Sequence, residues 1–295
     1  MRTIDAQLAK ELIAAQYPQW AKLPVYPVEK SGHDNRTFHL GDALTVRLPS
    51  GEGYANQIHK EWRWMPHLAP QLPLPIPVPV ALGRPDCGYP WHWTVCPWLG
   101  ETASEEGIVD YSRFARDLAS FLQALRGIDC TDGPLAGAHN FYRGGDLAVY
   151  DEEARNAIAD THRPLGIGAD TLTALWERAL ATKWSLPPVW VHGDVAIGNL
   201  LVKDGRLSAV IDFGTSGTGD PACDLVMAWT LFDGESRDAF VKAVDLPADV
   251  WERAMGWALW KALITYKAEI DRAPLKAAEA ARVVARIAAD ERFAR

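Results

Sequence analysis

Cysteine is scarce in this chain of 295 residues, and its four copies, Cys87, Cys96, Cys130 and Cys223, fall at no metal-ligand spacing. That scatter argues against zinc and predicts reduced thiols in a cytoplasmic protein. Long hydrophobic runs are missing too, so no membrane partner is expected, and the opening residues Met1 to Asp5 lack the pattern of a signal peptide. Basic charge is in deficit, with 30 Lys and Arg against 38 Asp and Glu and a net charge of -8. That balance argues against a nucleic-acid partner and permits a cationic substrate. Neither an internal repeat nor a low-complexity tail is present. The remaining composition, 48% hydrophobic and 23% charged, is that of an ordinary globular protein. Its length suffices for two lobes with a shared cleft. Oligomeric state is left open by the sequence.

What is present is concentrated in one region. The run His192-Gly193-Asp194-Val195-Ala196-Ile197-Gly198-Asn199 is followed by Ile211-Asp212-Phe213-Gly214. Between them, the apolar stretches 200–202 and 207–211 flank Lys203-Asp204-Gly205-Arg206, and Asp-Gly between apolar runs is a strong hairpin signal. Such a hairpin fixes the distance between Asn199 and Asp212, so two ligands apart in sequence converge on one ion. Upstream, Val189-Trp190-Val191 reads as a short buried strand that delivers the loop.

An Asp, an Asn five residues on and a later Asp-Phe-Gly match the catalytic and metal-holding elements of kinases. The chemistry explains these residue types. One carboxylate, Asp194, orients an acceptor hydroxyl or takes its proton. An amide oxygen, Asn199, and a second carboxylate, Asp212, hold the magnesium that bridges nucleotide phosphates. His192 is expected to hold the loop through hydrogen bonds.

These residues resemble the aminoglycoside phosphotransferase family of small-molecule kinases. Gly219-Asp220-Pro221-Ala222-Cys223-Asp224-Leu225 is similar to that family's segment after the metal aspartate, and the resemblance runs over nearly the whole chain. It is strongest with a subgroup of aminoglycoside and macrolide kinases that share an Arg-Leu-Pro strand end and a proline-alternating segment. The resemblance implies an α+β, protein-kinase-like two-lobe fold. A small β-rich N-lobe would span 1–96 and a larger, mainly helical C-lobe 97–295, with a hinge at about 95–101. It also implies that Asp220 and Asp224 brace the catalytic loop or cap the next helix.

A nucleotide-binding lobe is then required, and the first third supplies one with two departures. Kinases place a Lys on the third strand to hold the α and β phosphates, paired with a helix Glu. Here the strand 44–49 carries Arg47, whose guanidinium can make the same contact bidentately, and Glu61 in the helical stretch 58–65 is the expected partner. The phosphate-covering turn 31–36 has one glycine, so Ser31 and Gly32 are the candidates for presenting backbone N–H groups to phosphate. A solvent-exposed turn is expected for His33. Val95, Cys96 and Trp98, where a strand runs into Pro97 and Gly100, are expected to line the nucleotide base.

Elsewhere, Leu8, Leu12 and Ile13 mark a first helix, and alternating prolines over 70–79 force an extended connector. Tyr111, Phe114, Leu118, Phe121, Leu122 and Leu125 fall at helical spacing up to Gly127. Asp170 is read as the cap of a helix with Leu172, Leu175, Trp176 and Ala179 inside, and 225–232, 250–266 and 275–289 are helix-like.

The expected function is transfer of the γ-phosphate of ATP or GTP, with Mg2+, to a hydroxyl of a small-molecule acceptor, an aminoglycoside-like or macrolide-like antibiotic first. A kinase of choline, homoserine or a sugar amine is the main enzymatic alternative, since fold does not fix substrate. A nucleotide-binding module without catalysis is the other. Gly193 in place of an Arg, and the short stretch from Asp212 to Asp220, separate the chain from protein kinases.

Overall fold

The computed structural model describes residues 2–29, 32–100, 107–290 and 292. Ser31 lies outside the described residues. The chain forms two compact units, Met1–Ala103 with Gly198–Thr215, and Ser104–Ile197 with Ser216–Arg295. Lobes bounded at 96/97 would count residues 198–215 with the second lobe. In the structure that segment packs with the first, because Val210 N–H donates to Pro75 O at 3.2 Å and Lys60 reaches Gly214 O at 2.6 Å.

The first unit opens with α1 (Ala6–Gln16), started by Asp5, whose carboxylate accepts from Leu8 N–H at 2.8 Å. A five-stranded antiparallel sheet follows: β1 (Val25–Pro27), β2 (Asn35–Leu40), β3 (Leu44–Pro49), β4 (Ala81–Gly83) and β5 (Trp93–Pro97), in spatial order β1-β2-β3-β5-β4. On central β3, Val46 lies opposite Phe38 and Val95, and Arg47 opposite Thr37 and Thr94. Strand alternation then sorts the side chains. Val46 and Leu48 join Leu8, Leu12, Phe38 and Val95 in the core beneath α1, and Arg47 takes the other face. There α2 (Glu52–Leu68) buries Ile58, Glu61 and Met65. The proline-alternating connector has neither helix nor strand over 75–79, as its sequence dictates, and Ile76 within it is buried.

In the second unit, α3 (Tyr111–Gly127) buries Phe114, Leu118, Phe121, Leu122 and Leu125 as their spacing predicts, and Asp110 caps it through Arg113 N–H. Helices α4 (Asp151–Leu165) and α5 (Ala169–Leu180) come next. The cap of α5 is Gly168 rather than Asp170, which sits one residue inside the first turn, where its charge favours the helix N-terminus.

From residue 189 the chain alternates between the units. Strand β6 (Val189–Val191) belongs to the second. The hairpin β7 (Leu200–Lys203) and β8 (Arg206–Val210) belongs to the first, and β9 (Gly217–Gly219) returns to the second to pair antiparallel with β6. The hairpin turns through Asp204 and Gly205, at φ 53° and 75°, the pair of positive φ angles of a type I′ turn.

The stretch 225–232 is less regular than its pattern suggests, a 3-10 turn at Pro221–Leu225 followed by the single-turn α6 (Met227–Thr230). Then come α7 (Gly234–Val244), α8 (Ala248–Glu269) and α9 (Pro274–Ala288). Helix α8 is buried nearly all round, as its apolar sequence requires, and packs against α4, α5 and α9. Gly256 permits that approach, because a Cβ there would run into Ala179 and Leu147. Among the described residues, no helix is long and apolar enough to cross a membrane.

Candidate active site

In the second unit, β6 carries fully buried Trp190 and Val191 into the loop that begins at His192. Gly193 turns the backbone at φ 85°, a left-handed conformation that suits glycine. Two backbone N–H groups, of His192 and Gly193, donate to the two oxygens of Asp224, each at 2.7 Å. Asp194 N–H donates to His192 Nδ1 at 3.2 Å, which gives the buried imidazole the loop-holding role its position implies.

Asp224 lies in the 3-10 turn Pro221–Leu225. Its pKa is raised by burial, opposed by His192 and by the two N–H donors. Asp220 caps that turn through Ala222 N–H at 3.1 Å and pairs with Arg253 Nε of α8 at 2.7 Å. Burial raises the Asp220 pKa and Arg253 opposes it. Arg253 also donates to Thr182 Oγ1 and to the Asp249 carboxylate, both at 2.9 Å. The loop that carries Asp194 is thereby tied through Asp224, the turn and Asp220 to the buried helix α8.

Asp194 lines a cavity of about 470 Å³ whose lining comes wholly from the second unit. The walls are mainly apolar, with Val195, Ile197, Val226, Met227 and Trp257 among them, and Arg143 and several residues of α8 and α9 complete it.

In the first unit, Arg47 and Glu61 meet in a buried ion pair, Nη1 to Oε2 at 2.9 Å and Nη2 to Oε1 at 3.4 Å. Arg47 Nη2 is also 3.9 Å from Asp212 Oδ1. Burial works against the Arg47 charge, but Glu61, Cys96 and Asp212 around it raise its pKa above the ordinary value, and burial raises that of Glu61 against Arg47. Asp212 adopts φ 67°, uncommon for a residue with a side chain, so the backbone is held in a special conformation where its carboxylate is presented.

Ile211 N–H donates to Asn199 O at 2.9 Å, closing the base of the hairpin and placing residue 199 beside the segment that carries Asp212. Lys60 Nζ donates to Gly214 O at 2.6 Å, and a Cβ at Gly214 would require the amide end of the Gln57 side chain to move. Lys60 was hidden in the sequence: one charge on an amphipathic helix reads as part of a solvated face. Burial draws its pKa down to about 8, against Glu61 and Asp212.

The remaining nucleotide candidates divide. Gly32 is exposed, and its carbonyl accepts from Arg36 Nη1 at 3.0 Å. The adjoining turn is fixed by Ser50, whose hydroxyl donates to His33 O at 2.7 Å. Val95 is fully buried in the core beneath α1, and its carbonyl accepts from Val80 N–H at 2.8 Å. Neither its side chain nor its carbonyl is therefore open to a base. Trp98 N–H donates to Ala43 O at 2.8 Å, while its indole stays half-buried against His39. Cys96 is buried on the face of Arg47.

The donor set fits magnesium. Asn199 offers an amide oxygen and Asp212 a carboxylate, hard oxygen ligands of the kind Mg2+ takes one or two at a time, with phosphates and water filling the rest. Among the described residues, no group of three or more His, Cys, Asp or Glu forms an all-protein cage for a metal.

A buried Arg–Glu pair beside a metal-type aspartate in a β-rich unit, and an aspartate on a braced loop in a helical one, is the division of labour of a kinase-like phosphotransferase. Residues 28–257 match the phosphotransferase enzyme family, and the chain belongs to it. Among solved structures, the GDP complex of wild-type aminoglycoside 2'-phosphotransferase-IIIa aligns with TM-score 0.74 at 18% identity, over 96% of this chain and 98% of that one. Macrolide 2'-phosphotransferase MphH from Brachybacterium faecium aligns with TM-score 0.59 at 21% identity, over 96% and 98%. Both confirm the protein-kinase-like α+β fold. Among curated proteins, the uncharacterized protein YcbJ of Bacillus subtilis (strain 168) is 30% identical over 134 residues, 43% of this chain and 40% of that protein. That match spans less than half the length of the relative.

Proposed function

We propose that this phosphotransferase moves the γ-phosphate of ATP or GTP to a hydroxyl of a small, antibiotic-like molecule in the cytoplasm. The observation that carries the reading is Asp194, on a loop braced by two hydrogen bonds to Asp224, at the wall of a cavity of small-molecule size. Asp194 orients the acceptor hydroxyl and receives its proton as the O–P bond forms. The transition state of phosphoryl transfer is loose, so positioning outweighs early proton removal.

Arg47, held by Glu61, contacts the α and β phosphates; Gly32, and Ser31 before it in sequence, are the candidates for N–H donors to phosphate, and the half-buried Trp98 and Cys96 are the candidates for the base. Asn199 and Asp212 hold Mg2+, which when bound neutralises charge on the phosphates. Of the two antibiotic classes named for the aligned structures, the apolar walls favour a macrolide-like acceptor over an aminoglycoside.

The test is consumption of ATP and GTP, with Mg2+, against a panel of macrolides, aminoglycosides, choline, homoserine and sugar amines. Turnover with a macrolide supports the reading. Turnover with the metabolic amines alone replaces the antibiotic acceptor by a metabolic one. Stabilisation by magnesium nucleotide without transfer to any hydroxyl marks a binding module.

A further inference from the structure

The chain carries a net charge of -8, yet the cavity that Asp194 lines collects cations. Arg143, Lys261, Lys276, Arg282 and Arg286 line it, against two carboxylates, Asp194 and Glu279. Arg286 has a carboxylate, Asp233, at 3.8 Å and donates to Trp229 O. The other four have no ion-pair partner among the described residues.

Arg143 is the most telling of them. Its guanidinium lies over the rings of Trp257 and Trp260, at 4.9 and 5.0 Å from their centroids, which fixes its plane. It makes no side-chain hydrogen bond among the described residues, and its Nε is buried without a partner. A buried donor left unpaired is costly, and a planar guanidinium matches a carboxylate or phosphate bidentately. Lys261, Lys276 and Arg282 are exposed residues of α8 and α9 that add positive potential to the same cavity.

We infer that the acceptor is an anion: an alcohol with an apolar body and one carboxylate or phosphate group, seated on Arg143 while its hydroxyl meets Asp194. The inference rests on the phosphoryl-transfer reading of Asp194; it keeps the apolar body of a macrolide-like acceptor and replaces that acceptor's basic amino group with an acidic one. A polycationic aminoglycoside meets the wrong charge in this cavity. In the reaction the acceptor oxygen bonds to the γ-phosphorus, the bond from that phosphorus to the β–γ bridging oxygen breaks with its electrons on the nucleoside diphosphate, and the hydroxyl proton passes to Asp194 and then to water.

The test uses one scaffold with a single group varied: octyl glucoside, octyl glucuronide, octyl glucoside 6-phosphate and the 6-amino analogue. Binding to the full chain is measured by calorimetry at low and high salt. The carboxylate, the phosphate or both are expected to bind about 10- to 100-fold tighter than the neutral glucoside, the size of a charged hydrogen-bond contribution. The amine should bind more weakly than the neutral glucoside, and the discrimination should shrink with salt. The two anionic arms tell which group is read.

Arg143→Met, which keeps an apolar contact with the tryptophans, should abolish the discrimination and raise the acceptor KM. It should leave the nucleotide KM within about 2-fold, since a group reading only the acceptor makes no contact with the nucleotide. Equal or tighter binding of the neutral or amino compound, binding by no member of the series, or an Arg143→Met effect on the nucleotide KM alone overturns the inference. Because binding is read without turnover, a preserved anion preference with no transfer to any hydroxyl would count against the phosphotransfer reading and spare the charge preference.

Discussion

Replacing Lys60 with Met should stabilise the protein while impairing it. The side chain holds Gly214 O at 2.6 Å, and burial pulls its pKa from 10.5 to about 8. At ~1.4 kcal/mol per pH unit, that gap sets an upper limit of ~3 kcal/mol on the cost of keeping the ammonium folded at neutral pH. The side chain retains some solvent contact, so roughly half of that is expected to be real. Losing the hydrogen bond to Gly214 returns about 1 kcal/mol of destabilisation. The unfolded lysine keeps its proton to about 10.5 and the folded one releases it near 8. The unfolded chain therefore binds more protons in that window, and wild-type stability should rise with pH across it. Urea unfolding at pH 7 should find Lys60→Met equal to wild type or more stable by up to ~1 kcal/mol, with wild type gaining on it as pH approaches 10. With Gly214 untethered, kcat should fall by about 10-fold, in line with the sensitivity of phosphoryl transfer to positioning. A variant less stable by more than ~2 kcal/mol at pH 7, or one with the wild-type pH slope, would refute the assignment of a strained, buried charge.

Asp194→Asn should lower kcat by about 10^2- to 10^4-fold and leave nucleotide affinity unchanged, read by steady-state kinetics and calorimetry. Asn199→Ala and Asp212→Asn should each weaken the thermal shift produced by magnesium nucleotide as well as the rate; an undiminished shift would remove them as metal ligands. Asp220→Asn breaks a pair whose side chains are only 7% and 4% exposed, and should cost about 2 kcal/mol in denaturant unfolding, because Arg253 keeps only the more exposed Asp249 as its anionic partner. Gly256→Val should cost roughly 2 kcal/mol, because α5 cannot retreat from α8 without opening the core.

The parts of the fold that were legible in the sequence are those with strong local signals. Asp204-Gly205 marks its turn because Asp and Gly accept the two positive φ angles found there, and helix α3 repeats large apolar residues at its core-facing positions. Helix α4 escaped because its buried face is Ala154, Ala157, Ile158 and Thr161, small residues with little hydrophobic contrast. Helix α7 buries Ser236, Phe240 and Val244, again too few to stand out. At the proposed site, Asp194, Asn199 and Asp212 could be nominated from sequence because the chemistry proposed for them demands fixed residue types at short spacing. The charge of the cavity was not, since Arg143, Lys261 and Arg282 come from three separate segments and only the tertiary fold brings them together.

The link from Asp212 to β9 has a consequence for control. Four residues separate the aspartate from Gly217, where β9 begins its pairing with β6. A protein kinase uses a long segment at this place as a signal receiver, ordered or released by phosphorylation. Here there is no such receiver, so output should track the number of enzyme molecules and the arrival of substrate. A cell would then adjust it at the pace of synthesis and degradation, over generations rather than seconds.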